Sequence, residues 1–170
     1  MKVFLDLDQT LTDFDQAVRN LGQGPAKGLG NEASAEDKQV MYDAVEKAGE
    51  SFWADMGWFA DGRELWKIFR PFNPTILSSP GKFPAAPSGK LLWVKKNIPG
   101  TSLYLSETKS EYVDPYEMSV LVDDDRNNIR AWKERGGIGI LHQSIASTER
   151  QFLELLWNEP PDINPADIYW

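Results

Sequence analysis

The chain has 170 residues, a net charge of −8 and no cysteine. That length fits one domain of ordinary size with room for a minor lobe. The acidic balance makes the surface, on average, repulsive to nucleic acid and to anionic membranes, and the missing thiols exclude disulfides, thiolate zinc sites and cysteine nucleophiles. The same absence of cysteine fits a reducing cytoplasm. One lysine followed by a short apolar run broken by Asp6 reads as neither a signal peptide nor a membrane span.

In chain order, residues Val3 to Leu7 read as a short apolar strand. Next comes a segment with no strand pattern, residues 15–57. It holds a glycine-rich loop, "LGQGPAKGLGN", an amphipathic helix candidate, "SAEDKQVMYDAVEKAG", and the aromatic run "ESFWADMGWF". The glycine loop follows a helix and lacks a Gly-Lys-Ser/Thr ending, so it does not read as a phosphate cradle. Four more apolar runs follow, "PTILSS", "SLYLS", "MSVLVDD" and "GIGILH", and their continuity predicts strands buried on both faces. Alternating with them are helical patterns: "GRELWKIFRPF", "SGKLLWVKKNI" with Ser88 as its expected cap, "DRNNIRAWKERGG" and "STERQFLELLWN". The proline-rich end reads as irregular. This alternation predicts an α/β fold, a Rossmann-like three-layer sandwich with a central parallel sheet and a small helical cap inserted after the first strand. Residues 1–14 and 58–170 would form the core and 15–57 the cap.

In such sheets the site lies beyond the carboxyl ends of the strands. Strand one ends in Asp6-Leu7-Asp8-Gln9-Thr10, strand two in Ser78-Ser79-Pro80, strand three is followed by Lys109, and strand four ends in Asp123-Asp124-Asp125. Clustered carboxylates are costly unless a cation sits among them. Oxygen-only ligands suit a hard cation, and Mg2+ is the one commonly paired with phosphate. Asp13 and Asp15 are explained without a ligand, by the dipole of the helix they open. His142, which follows an apolar strand, reads as structural.

The order Asp-x-Asp-x-Thr, strand-Ser, Lys, strand-Asp-Asp resembles the haloacid dehalogenase-like phosphohydrolase superfamily, and its four motifs span the chain. "DLDQTLTDFD", "TILSSP", "GKLLWVKK" and "LSETK" look like segments of the 5'(3')-deoxyribonucleotidases. The resemblance implies a magnesium-dependent phosphomonoesterase working through an aspartyl-phosphate. Asp6 would be the nucleophile and Asp8 the general acid and base, with Ser78 on the phosphoryl oxygens and Lys109 offsetting charge. Asp6, Asp8 through its carbonyl, Asp123 and Asp124 would hold Mg2+. Phe14, Phe52, Trp53, Ser79 and Lys90 would meet the substrate, a deoxynucleoside monophosphate or similar small ester. Gln9 stands where those enzymes usually have glycine, Ser78 where they have threonine, and Asp125 adds a carboxylate. A phosphatase for polynucleotide ends and a non-catalytic phosphate-binding module of the same fold are the competing readings. No stable nucleic-acid or membrane binding is expected, and a homodimer is left open.

Overall fold

The computed structural model describes residues 1–158, so the proline-rich segment expected to be irregular lies outside the described residues. Five strands form one parallel sheet: β1 (Lys2–Leu5), β2 (Thr75–Ser78), β3 (Leu103–Leu105), β4 (Ser119–Asp123) and β5 (Ile138–Leu141), in the order β3-β2-β1-β4-β5. Leu5 pairs with Ile76 on one side and Val122 on the other. The chain builds outward from β1 through β2 and β3, then returns to build outward through β4 and β5. The turning point therefore falls between β1 and β4, where their carboxyl ends open a crevice.

Strand alternation divides the core into two layers. Val3, Leu5, Ile76, Val120, Val122 and Ile140 lie in the larger apolar cluster with residues of α5 (Gly62–Phe69), α6 (Ala86–Asn97) and α8 (Ile145–Asn158). Phe4, Leu77 and Leu121 face the other way, onto Ile129 and Trp132 of α7 (Arg126–Glu134). These are the three layers that the alternation of elements predicts. The sheet departs from expectation at its edge: among the described residues no strand pairs beyond β3, and Tyr104 is nearly half exposed. β1 is also shorter than its apolar run. It ends at Leu5, and Asp6, whose amide donates to the Val122 carbonyl at 2.9 Å, is the last residue tied to the neighbouring strand.

Between β1 and α5 the chain forms four helices and no strand: α1 (Phe14–Asn20), α2 (Gln23–Ala26), α3 (Ala35–Ala48) and α4 (Glu50–Ala54). Asp13 caps α1 by accepting from the Gln16 amide at 2.8 Å, and Asp15 sits in its first turn, as expected of both. The glycine-rich loop contains the single turn α2. The start of α6 corrects the expected cap: the helix begins at Ala86 with Pro87 in its first turn, and the Ser88 hydroxyl donates back to the Ala85 carbonyl. Proline at the helix start makes a serine cap there unnecessary, since its missing donor falls where none is needed.

Helix α4 lies directly on α6. A Cβ on Gly89 would stand 2.4 Å from the Cβ of Trp53 and 2.6 Å from the Glu50 carbonyl oxygen, both rigid atoms. The contact brings Trp53 against the helix that carries Lys90. Gly89→Ala tests it. Alanine gains about 1 kcal/mol of helix propensity, yet the clash forces the helices apart, and a net loss of about 2 kcal/mol is expected by chemical denaturation. A neutral or stabilising result would show that α4 moves freely off α6.

Candidate active site

Lys109 is the centre of the arrangement. It opens a 3-10 turn after β3 and is 5% exposed. Its ammonium donates to Asp6 Oδ1 and, at 2.7 Å, to Asp123 Oδ2. The two carboxylates attached to the ends of β1 and β4 are thus joined by one buried cation. Burial alone would lower the lysine pKa, but Asp6 and Asp123 together reverse that and hold it above its ordinary value, so Lys109 stays charged.

A second buried lysine serves Asp8. Lys90, on the inner face of α6 and 1% exposed, donates to Asp8 Oδ2 at 2.6 Å, Ser78 Oγ at 3.2 Å and the Ser79 carbonyl at 2.7 Å. Asp6 and Asp8 therefore have separate partners although they are two residues apart. Burial raises the Asp8 carboxyl above the ordinary aspartate value, Lys90 opposes this, and Asp6 adds to it. The Asp8 side chain retains 28% of its accessible surface, so its desolvation is partial.

Asp123 is fully buried and held on three sides: Lys109 and Asn128 Nδ2 at Oδ2, and the Asp125 amide at Oδ1, 2.8 Å away. Asp124 accepts from the Thr10 hydroxyl at 3.3 Å, and the same hydroxyl reaches Asp6 Oδ2 at 3.5 Å. One carboxylate oxygen from each of Asp6, Asp123 and Asp124 lies within 4.8 Å of the other two. Asp125 does not join them. Its carboxylate caps α7, accepting from the Asn127 amide at 2.6 Å. The three converging carboxylates, with oxygen donors only, fit a hard divalent cation.

The remaining candidates take varied positions. Ser78 is fully buried beside Lys90, whereas the Ser79 hydroxyl is bound within its own loop, donating to Glu107 at 2.9 Å and accepting from the Gly81 amide. Phe14, Phe52 and Trp53 pack on one another with centroids 5.1–5.7 Å apart. Phe52 and Trp53 are buried in the core cluster and Phe14 is half-buried, with the Trp53 ring 5.2 Å from the Lys90 ammonium. His142 is structural, held between Thr148 at 2.9 Å and Asp61 at 3.3 Å.

Two residues escaped the sequence reading. Thr10 appears there only as a motif letter, yet it bridges Asp6 and Asp124. Asn128 orients Asp123 from the first turn of α7; its signal was a poor helix former placed one turn beyond the carboxylates without a capping role. Gln9 is a third surprise. Its φ is +60°, a left-handed conformation costing a non-glycine residue about 1–2 kcal/mol, and its side-chain Oε1 is buried without a partner among the described residues.

The carboxylate cluster makes two predictions. Asp124 is pushed up to about 7 by partial burial and by Asp6 and Asp123. Asp123 is raised by burial and Asp6 against the pull of Lys109. A raised carboxyl pKa means that the folded chain holds protons the unfolded chain releases. This contribution to stability is complete below the ordinary value of 3.8 and is lost as pH rises through about 7. Mg2+ should therefore raise Tm more at pH 8 than at pH 5, by roughly 5–10 °C at a hundredfold excess over its Kd; equal increments would place the ion elsewhere. In metal-free buffer, Lys109→Met should cost about 3–5 kcal/mol by leaving two buried carboxylates uncompensated. A loss below about 1 kcal/mol would show that Asp6 and Asp123 do not depend on it.

No known family profile matches the sequence, and no curated protein sequence does. Solved structures do. A haloacid dehalogenase-like family hydrolase from Streptococcus pneumoniae superposes with a TM-score of 0.52 at 15% identity, covering 95% of this chain and 91% of its own. A hydrolase from Pseudomonas syringae gives 0.45 at 18% identity over 88% and 89% of the two chains, too low a score to add weight. At these identities the similarity concerns architecture: the chain has the Rossmann-like fold of a haloacid dehalogenase-like hydrolase.

Proposed function

We propose that the protein is a magnesium-dependent phosphomonoesterase acting on deoxynucleoside monophosphates or closely related small esters through a phosphorylated Asp6. The observation that carries this reading is the meeting of Asp6, Asp123 and Asp124 with two buried lysines at the turning point of the sheet. Acidic clusters alone are common. One crossed by buried cations, each bound to a different member of an Asp-x-Asp pair, is suited to an anionic substrate and an anionic nucleophile at once.

Asp6, Asp123 and Asp124 would hold Mg2+ by their carboxylates and Asp8 by its backbone carbonyl. Bound there, the ion would neutralise phosphoryl charge. The chain's own residues supply the rest. Lys109 orients Asp6 and offsets its charge, and Thr10 steadies its other oxygen. An Asp6 oxygen attacks phosphorus as the ester P–O bond breaks. Asp8, whose raised pKa favours a retained proton, donates it to the departing alcohol oxygen. Asp8 then takes a proton from water, and the resulting hydroxide attacks phosphorus, releasing phosphate and restoring Asp6. Ser78 and Lys90 stand beside Asp8 to receive phosphoryl oxygens. Residues 15–57 would act as the cap, with Phe14 offering its half-buried face to the organic group and Phe52 and Trp53 backing it. Ser79 would contribute through its loop.

Phosphate release with Mg2+ over nucleotides, sugar phosphates and 3'-phosphorylated oligonucleotides tests the reading. Deoxynucleoside monophosphates should be hydrolysed and the activity lost in EDTA. Asp6→Asn should abolish turnover and any trapped phosphoenzyme. Asp8→Asn should lose roughly 10^2 to 10^4 in rate, be partly rescued by an aryl phosphate with a good leaving group, and accumulate phosphoenzyme. Full activity without metal, or a covalent phosphoenzyme in Asp6→Asn, would refute the mechanism. Activity confined to oligonucleotides would replace the substrate.

A further inference from the structure

The sheet ends in two edge strands, β3 and β5, and their surroundings differ. Beside β5, Leu141 shares a hollow with Arg126, Arg130, Lys133 and Glu134 of α7, three cations to one carboxylate. A row of like charges at an edge discourages a second edge of the same kind from approaching. Around β3 the chain reads Ser102-Leu103-Tyr104-Leu105-Ser106, with neither a charge nor a proline to blunt it. Only its shortness limits pairing there.

The hydrogen bonds to β2 fix which groups the edge presents. The Ile76 amide donates to the Ser102 carbonyl and the Ser106 amide to the Ser78 carbonyl, each at 2.9 Å. Alternation along the strand then turns the backbone of Ser102, Tyr104 and Ser106 toward β2 and that of Leu103 and Leu105 outward. Each outward residue offers one N–H and one carbonyl. Between them the nearly half-exposed Tyr104 stacks on Tyr112, with centroids 5.4 Å apart.

We infer that β3 is the interface of a two-fold homodimer, in which the edge strands of two copies pair antiparallel about Tyr104 and join their sheets into one. Such an edge complements itself, because a two-fold axis sets its donors against its own acceptors. The register centred on Tyr104 uses every outward group: Leu103 exchanges both backbone hydrogen bonds with Leu105 of the second copy, and Leu105 with Leu103. The two Tyr104 residues then face each other as a pair without hydrogen bonds between them, the closer kind of cross-strand neighbour, and their rings meet as an aromatic pair. Glu107, the nearest charge along the strand, falls opposite Thr101 of the second copy, so no like charges meet. β3 leads into the turn that carries Lys109, and the pairing braces that strand.

Sedimentation velocity across the micromolar range should show a monomer–dimer equilibrium in the wild-type chain. Tyr104→Lys sets like charges face to face across the axis and should raise the dissociation constant about tenfold or more. Tyr104→Glu should do the same, and an equimolar mixture of the two variants should dimerise again, since opposite charges then meet. Recovery in the mixture requires that both variants are folded. The chain has no cysteine, so Tyr104→Cys introduces a lone thiol. Facing Cα atoms about 4.5 Å apart lie within disulfide range. Mild oxidation should therefore link Tyr104→Cys into a covalent dimer far faster than Tyr116→Cys, whose position is 97% exposed but off the strand. The inference is overturned if the wild-type chain stays monomeric throughout, if its dimer is indifferent to charge at position 104, or if the two cysteine variants crosslink equally.

Discussion

Everything at the carboxyl edge of the sheet depends on one buried ammonium between two buried carboxylates. Lys109 reaches Asp6 at the end of β1 and Asp123 at the end of β4, and so ties together two strands that lie more than a hundred residues apart in sequence. Without that charge, the carboxylates would repel one another in a poorly solvated place, and the crevice would open or take up protons. The lysine comes from the turn after β3, at the far edge of the sheet. Its reach across β2 and β1 is what makes the crevice a single site.

The second lysine gives one short loop two distinct carboxylate environments. Asp6 and Asp8 leave the same strand end, but Lys109 holds the first and Lys90 the second. Their environments differ accordingly. Asp6 shares its cation with Asp123 and faces the other carboxylates, while Asp8 sits by Ser78 with part of its surface open. Such a separation suits the different roles that the proposed mechanism gives the two carboxylates. The close packing of α4 on α6 at Gly89 contributes by fixing the helix that carries Lys90, so the inserted helices bear on where that lysine stands.

The left-handed Gln9 belongs to the same economy. The turn after Asp8 folds back on itself, with the Gln9 amide donating to the Thr12 carbonyl at 2.7 Å and the Leu11 and Thr12 amides both donating to the Leu7 carbonyl. A reversal that tight requires one residue with positive φ, for which glycine is the ordinary choice. Glutamine there carries that strain directly beside the carboxylate cluster.

Local sequence determined the elements of this protein. Apolar runs fixed five strands because a strand buried on two faces admits little else, and Asp13 fixed the start of α1 because its carboxylate satisfies a free amide. The Asp-x-Asp-x-Thr, Ser, Lys and Asp-Asp signals were readable because each ends or follows a strand, and parallel strands deliver their ends to one edge. Tertiary structure decided the pairing. Whether Lys90 meets Asp8 depends on the rotation of α6, which no spacing within the helix reveals. That Asp125 caps α7 while Asp124 turns to Thr10 depends on where β4 stops and the helix starts. Asn128 was silent for the same reason, since it acts through a distant partner, whereas Gln9 was legible only as a departure from glycine, and its backbone angle and unmet hydrogen bond came with the fold. Such properties arise only when the chain brings remote groups within a few ångströms, where hydrogen bonding becomes possible and electrostatics, strengthened by the low dielectric of a folded interior, choose among them.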